Sequence, residues 1–304
     1  MSLKKIVIGV VLIFIGLPML LALIFAGWAS LHNEINGRLV SSGQQREYLL
    51  HIPPKYDRAT PAALVISMHG AALWPASQMK MSRWNEVADE NGFLVVYPSG
   101  TGFPRIFPME GAALAADVKF ISDLIDALEA RYAIDPKRIY VDGFSNGGGM
   151  AFALSCALPD RIAAVGMVAG AQLLPWSWCT DPRPMPMIAF HGTADPIIPY
   201  AGGTTWKSPT RVPFPGVRQW TENWARRNRC GAQAVETSVA AHVVRFEYAH
   251  CADDAAVVLY SVGGGGHSWP GGKAIAPWWV GPTSPEVDAT RLIWAFFREH
   301  PLAK

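Results

Sequence analysis

The pentapeptide Gly143-Phe144-Ser145-Asn146-Gly147 follows the apolar run Ile139-Tyr140-Val141 and leads into Met150, Phe152, Ala153 and Leu154. A G-x-S-x-G pattern between a strand and a helix is the setting of a nucleophile elbow, in which a tight turn lifts the serine hydroxyl above a sheet. The chemistry it points to is acyl transfer through Ser145. A serine hydroxyl is a weak nucleophile until a base takes its proton. Among eight histidines, His267 stands out in Gly263-Gly264-Gly265-Gly266-His267-Ser268-Trp269-Pro270-Gly271, a glycine-dense loop directly after an apolar strand. Such a loop can carry an imidazole close to another residue without a Cβ in the way. His69 and His191 each end an apolar strand before a glycine, and read as structural histidines beneath loops.

In this chain order the acid falls between Ser145 and His267. Asp195 follows the strand at 187–190 and precedes Pro196, which places it past a strand's carboxyl end, where open α/β sheets bind ligands. Asp253 and Asp254 are the alternatives. Two main-chain donors complete the set: the amide of Asn146, next to the nucleophile, and that of Ala71 in His69-Gly70-Ala71-Ala72, after an early strand.

The surrounding sequence alternates strand and helix patterns. Strands are expected at 48–52, 64–68, 93–97, 138–142, 163–168 and 187–190, with a strand pair within 235–262. Helices are expected at 84–91, 115–132, 217–227 and 285–297, and Asp135-Pro136 reads as a turn. This alternation predicts an α/β fold with a mostly parallel sheet and helices on both faces. The Pro/Gly-rich stretch 200–216 is a loop long enough to be functional.

Residues 1–30 stand apart. Lys4 and Lys5 precede an uncharged apolar stretch over 6–26, long enough to cross a bilayer. It reads as a signal peptide or an uncleaved signal anchor, with the catalytic domain at 31–304 exported: secreted, periplasmic, or held outside the cytoplasm by the anchor. The membrane is then a partner through that segment. With 26 Lys and Arg against 24 Asp and Glu, the net charge of +2 argues against nucleic acid as a partner. Export suits the four cysteines, Cys156, Cys179, Cys230 and Cys251. Three pairings are open, and joining nearest neighbours closes the shortest loops. Each bridge would contribute on the order of 3 kcal/mol.

Taken together, Gly143-Phe144-Ser145-Asn146-Gly147-Gly148, His191-Gly192-Thr193-Ala194-Asp195 and Gly264-Gly265-Gly266-His267-Ser268-Trp269-Pro270-Gly271 resemble the polyhydroxybutyrate depolymerase and feruloyl esterase family of secreted carboxylesterases. The stretches from Asp117 to Ile121 and from Ile134 to Tyr140 are similar to its lead-in, so the likeness covers about 45–297. It implies an α/β-hydrolase fold, the Ser145, Asp195 and His267 roles, and the pairings Cys156–Cys179 and Cys230–Cys251. It departs in the oxyanion loop, where Ala71-Ala72-Leu73-Trp74-Pro75 replaces the family's run of glycines.

The expectation is a serine carboxylesterase working through an acyl-enzyme, with no metal and no cofactor. Its ester substrate would be polymeric or aromatic: a polyhydroxybutyrate-like polyester or its oligomers, or else a feruloyl or acetyl ester of a plant polymer. A serine peptidase and a non-catalytic binding protein are the readings from other classes. Of twelve tryptophans, Trp74, Trp206 and Trp269 are the candidate substrate contacts. Trp176, Trp178, Trp278 and Trp279 also fall in loops. The alternative for such residues is packing in the core or at a membrane-proximal face.

Overall fold

The computed structural model describes residues 34–180, 183–208, 210 and 212–302. The apolar stretch at 6–26 and its Lys-Lys flank lie outside these residues. No helix among the described residues is long and apolar enough to cross a membrane.

Ten strands form one sheet in the order β1-β2-β4-β3-β5-β6-β7-β10-β9-β8. They are β1 (Gly37–Ser41), β2 (Gln44–His51), β3 (Ala62–Met68), β4 (Leu94–Pro98), β5 (Ile134–Phe144), β6 (Val165–Val168), β7 (Met187–Gly192), β8 (Val235–Ala240), β9 (Val243–Tyr248) and β10 (Val257–Val262). The run from β4 to β10 is parallel, and an antiparallel pair closes each end: β1-β2 against β4, and β9-β8 against β10. The helices are α1 (Pro75–Ser82), α2 (Trp84–Asn91), α3 (Gly111–Glu129), α4 (Asn146–Ala157), α5 (Val217–Arg227), the single turn α6 (Pro277–Val280) and α7 (Ala289–Glu299).

Central strands buried on both faces send alternate side chains into two cores. Leu64, Ile66 and Met68 of β3 join Phe120 and Ile121 of α3, Phe152 of α4 and Trp224 of α5. Ala63 and Val65 face the other way, onto Trp84 and Val87 of α2 and Ile293 and Phe297 of α7. The expected mostly parallel sheet with helices on both faces is therefore present.

Local differences have local reasons. Asp135-Pro136 does not end a strand, because β5 runs through it. The ladder to β3 slips there, passing from Ala62 opposite Ile134 to Leu64 opposite Ile139. Pro136 has no amide to donate, and an irregularity that takes up extra residues leaves none needed. The region 235–262 holds three strands in place of a pair. β1 and α1 were not anticipated: β1 is five residues with alternating exposure, and α1 begins at a Pro after Trp74 with only a weak apolar stripe. Both disulfides, Cys156–Cys179 and Cys230–Cys251, are formed.

Candidate active site

β5 ends in the turn that carries Ser145. Its backbone lies at φ 54°, ψ −116°, a conformation that L-residues seldom adopt outside functional turns. The flanking glycines are required by contact. A Cβ on Gly143 would stand 2.2 Å from the Gly147 carbonyl, and one on Gly147 would stand 2.3 Å from the Met68 carbonyl oxygen. The strained turn is held by three main-chain bonds: Ser145 N–H to the Val168 carbonyl, and the Ser145 carbonyl to the amides of Gly149 and Ala171.

His267 follows β10 across the glycine loop, and its amide donates to the Val280 carbonyl at 2.7 Å. Its ring packs on Phe144, with centroids 4.8 Å apart. Its Nδ1 lies 2.7 Å from Asp195 Oδ2. Asp195 sits three residues past β7, buried to 5% exposure. Its Oδ1 accepts the amides of Ile197 and Ile198 at 2.8 and 2.9 Å, so the carboxylate cannot rotate away from His267. Burial by itself would raise the Asp195 pKa. The charge of His267 and hydrogen bonds from His191 and His267 outweigh it and hold the carboxyl below the usual range. His191 does more than pack beneath a loop: its Nε2 lies 2.9 Å from the Ile198 carbonyl and 3.3 Å from Asp195 Oδ2. Asp253 and Asp254 precede β10, at the amino edge of the parallel strands, whereas Ser145, Asp195 and His267 all follow strand ends.

Ser145 and His267 line one cavity of about 360 Å³, with Ala71, Leu73, Ile275 and Trp279 among its walls. Ala71 is pinned on both sides, since the Ala72 amide donates to the Arg105 carbonyl and that of Leu73 to Gly70. His69 supports the same loop from below. Its Nε2 accepts the Gly100 amide at 3.0 Å while Nδ1 donates to the Gly70 carbonyl at 2.7 Å. That pattern needs a neutral ring, and burial lowers the His69 pKa to about 4. Asn146 is the first residue of α4, so its amide has no intrahelical acceptor. Its side chain clasps Phe107 by exchanging hydrogen bonds with that residue's amide and carbonyl at 2.8 and 2.9 Å.

The tryptophans divide. Trp269 is buried to 1%, donates its indole N–H to Thr290 and touches the cavity only as part of its wall. Trp206 is 81% exposed and meets Trp279 edge-on at 5.5 Å. Trp74 precedes α1 and is not part of the cavity lining. The indole that does line the cavity from this cluster is Trp279, on α6. The sequence places it among the loop tryptophans that could form an aromatic cleft but does not single it out as a substrate contact, and the Trp278-Trp279 pair was the available signal. Among the described residues, no group of three or more His, Cys, Asp or Glu is placed to hold a metal ion.

Asp142 lies three residues before Ser145, fully buried, with Ser67 and the Trp84 indole as hydrogen-bond donors. Burial raises its pKa to about 7, against the two hydrogen bonds that oppose the shift. An unfolded aspartate titrates near ~3.9. Between these values the unfolded chain releases a proton that the native state keeps, so stability falls as pH rises from about 4 to about 7 and levels off above that. Asp142→Asn will remove this slope. The difference in unfolding free energy between variant and wild type will grow with pH across that window, by on the order of 4 kcal/mol. Denaturant melts at pH 4.5, 6 and 8 measure it, and parallel curves at all three would contradict it.

The known proteins that this chain resembles are esterases. Residues 46–174 match the model of the esterase PHB depolymerase family. The chain is 29% identical to feruloyl esterase B of Piromyces equi over 75% of its own length, but it spans only 44% of that protein. It is 30% identical to the esterase-type protein NocK of Nocardia uniformis subsp. tsuyamanensis, covering 82% of this chain and 78% of that one. In fold it is similar to the acetyl xylan esterase from Aspergillus awamori, with a TM-score of 0.62 over 86% of this chain and 98% of that one, at 12% identity.

Proposed function

Because the chain belongs to the PHB depolymerase family of esterases, we propose that it is a serine carboxylesterase that works through an acyl-enzyme. The observation that carries this reading is the Asp195–His267 bond of 2.7 Å beside a strained serine that opens into the same cavity. His267 takes the Ser145 proton as the hydroxyl attacks the ester carbonyl. Asp195 orients the imidazole and stabilises the cation that forms. The tetrahedral oxyanion is received by the amides of Asn146 and Ala71. The imidazolium then protonates the departing alcohol, and water, activated by the same base, releases the acid. A cavity of about 360 Å³ with largely apolar walls holds an acyl group much larger than acetyl.

The substrate class proposed is a short polyester or oligomer of the hydroxybutyrate kind. A feruloyl ester is the second reading, favoured by Trp279 and Phe144 in the cavity wall, which offer an aromatic acyl group faces to stack on. The protein is proposed to act outside the cytoplasm, as the disulfides support.

The test is a panel of 4-nitrophenyl acetate, 4-nitrophenyl butyrate, hydroxybutyrate trimer, methyl ferulate and the matching amides. Hydrolysis of the butyrate ester at least about tenfold faster in kcat/KM than the acetate is expected, since a methylene or two in an apolar pocket contributes about 1–3 kcal/mol. Cleavage of the amides but not the esters would make the protein a peptidase. Cleavage of neither would leave a binding protein.

A further inference from the structure

We propose that the catalytic cavity selects esters that carry a free carboxylate, received at its mouth by Lys207 and Lys273. This rests on the esterase reading above and adds a substrate feature to it. Apart from Ser145, His267 and Ser268 the walls are apolar, yet Lys207 and Lys273 both line them, and no Asp or Glu does. Asp195 stands behind His267, and Glu86, which faces Lys273 from α2, is already engaged by Arg83 through two hydrogen bonds of 3.1 Å and a closer third. The cavity lining therefore holds two lysines and no acidic residue to balance them.

Lys207 is held in place for such a role. Its Nζ donates to the Trp279 carbonyl at 2.6 Å and lies 4.7 Å from the Trp279 ring centroid and 5.3 Å from that of Trp206. An ammonium has three donors, so this anchor leaves two for a ligand. The backbone beneath is tied to the loop of the catalytic acid, because Thr205 Oγ1 donates to the Pro196 carbonyl at 2.6 Å and Ser208 Oγ to that of Ile197 at 2.9 Å. Lys273 comes from a separate loop, where its amide donates to the Met81 carbonyl at 3.1 Å, and the residue is exposed. A purely structural Lys207 would strut the Trp206–Trp279 pair and say nothing about Lys273. Two lysines from separate loops on one cavity, with no carboxylate between them, fit an anionic group on the substrate. The carboxylate can belong to the acid end of a hydroxy-acid oligomer or to the half-ester of a dicarboxylic acid. Both offer the same charge-assisted hydrogen bonds, each contributing more than a neutral one.

The experiment compares kcat/KM on matched pairs that differ only in the terminal group. One pair is 4-nitrophenyl hemiglutarate and 4-nitrophenyl pentanoate, and the other is hydroxybutyrate trimer as free acid and as methyl ester. Wild type is expected to prefer the anionic member of at least one pair about tenfold, through KM, and the preference should shrink as salt rises. Preference in the trimer pair alone names the oligomer end, and preference in the glutarate pair alone names the half-ester. Lys273→Met and Lys207→Met should each lower the ratio within a pair, and Lys207→Arg should keep it. Reading a ratio cancels any general loss from a loosened Trp279. Equal rates within both pairs for wild type, or lysine variants that lower both members alike, would overturn the proposal while leaving the esterase reading intact. If wild type turns over neither member of either pair, the esterase reading falls and the proposal falls with it.

Discussion

Ser145→Ala will lower kcat on any ester by about 10⁶-fold while the protein stays folded. The magnitude is what removal of the nucleophile costs in serine hydrolases, where the remaining binding and oxyanion groups leave only a small residue of catalysis. The fold should survive because alanine meets the same backbone demand at φ 54° as serine does. The three bonds that hold the turn, to Val168, Gly149 and Ala171, are all main-chain. Single-turnover kinetics with 4-nitrophenyl butyrate, beside a thermal melt, reads both parts. A folded Ser145→Ala protein that still shows a burst of nitrophenol would mean that another group forms the acyl-enzyme.

Asp195→Asn will lower kcat by about 10⁴-fold, for a reason visible in the hydrogen bonds. Oδ1 is committed to the amides of Ile197 and Ile198, so an asparagine keeps its oxygen there and turns its NH₂ toward His267 Nδ1. That nitrogen must then accept, which moves the ring proton to Nε2, the atom that has to take the Ser145 proton. The imidazole is left in the wrong tautomer, and the cation formed in the transition state loses its counter-charge. Asp253→Asn and Asp254→Asn should retain wild-type kcat, since both residues lie at the other edge of the sheet. A near-normal Asp195→Asn would remove Asp195 from the mechanism. In the wild type, Asp195 is held below the usual carboxylate range and stays ionised through the working pH range. The acid limb of kcat/KM should therefore contain no contribution from the Asp195 carboxylate, and its slope should not exceed one. A slope of two would show the carboxylate titrating as well.

Much of the framework was legible because its signals are short-range. Residues 84–91 end at Gly92, whose φ of 77° lets it close α2, and the helix at 217–227 coincides with α5. In both, the apolar spacing lies within a dozen residues. The turn that carries Ser145 was readable for the same reason, since Gly143, Ser145 and Gly147 need one another at fixed spacing. Where local signals were weak, the elements went unseen. β1 pairs along an edge with alternating exposure, and α1 owes its place to packing on β3 and β4.

The sequence by itself determined the residue types capable of the chemistry and the order in which they occur: a serine in a glycine turn, an aspartate past a strand, a histidine in a glycine loop. Only the tertiary structure decided which atoms meet. Asp195 and His267 are 72 residues apart, and parallel pairing of β7 with β10 is what sets their loops side by side. The same folding sorted the tryptophans, burying Trp269 against Thr290 and leaving Trp206 exposed, a distinction invisible to residue type. It also set Lys207 against Trp279 across 72 positions of chain. Such contacts depend on how separate loops leave one sheet edge. Short-range periodicity carries no information about that, because it reports which face of an element is buried and not what lies beyond it.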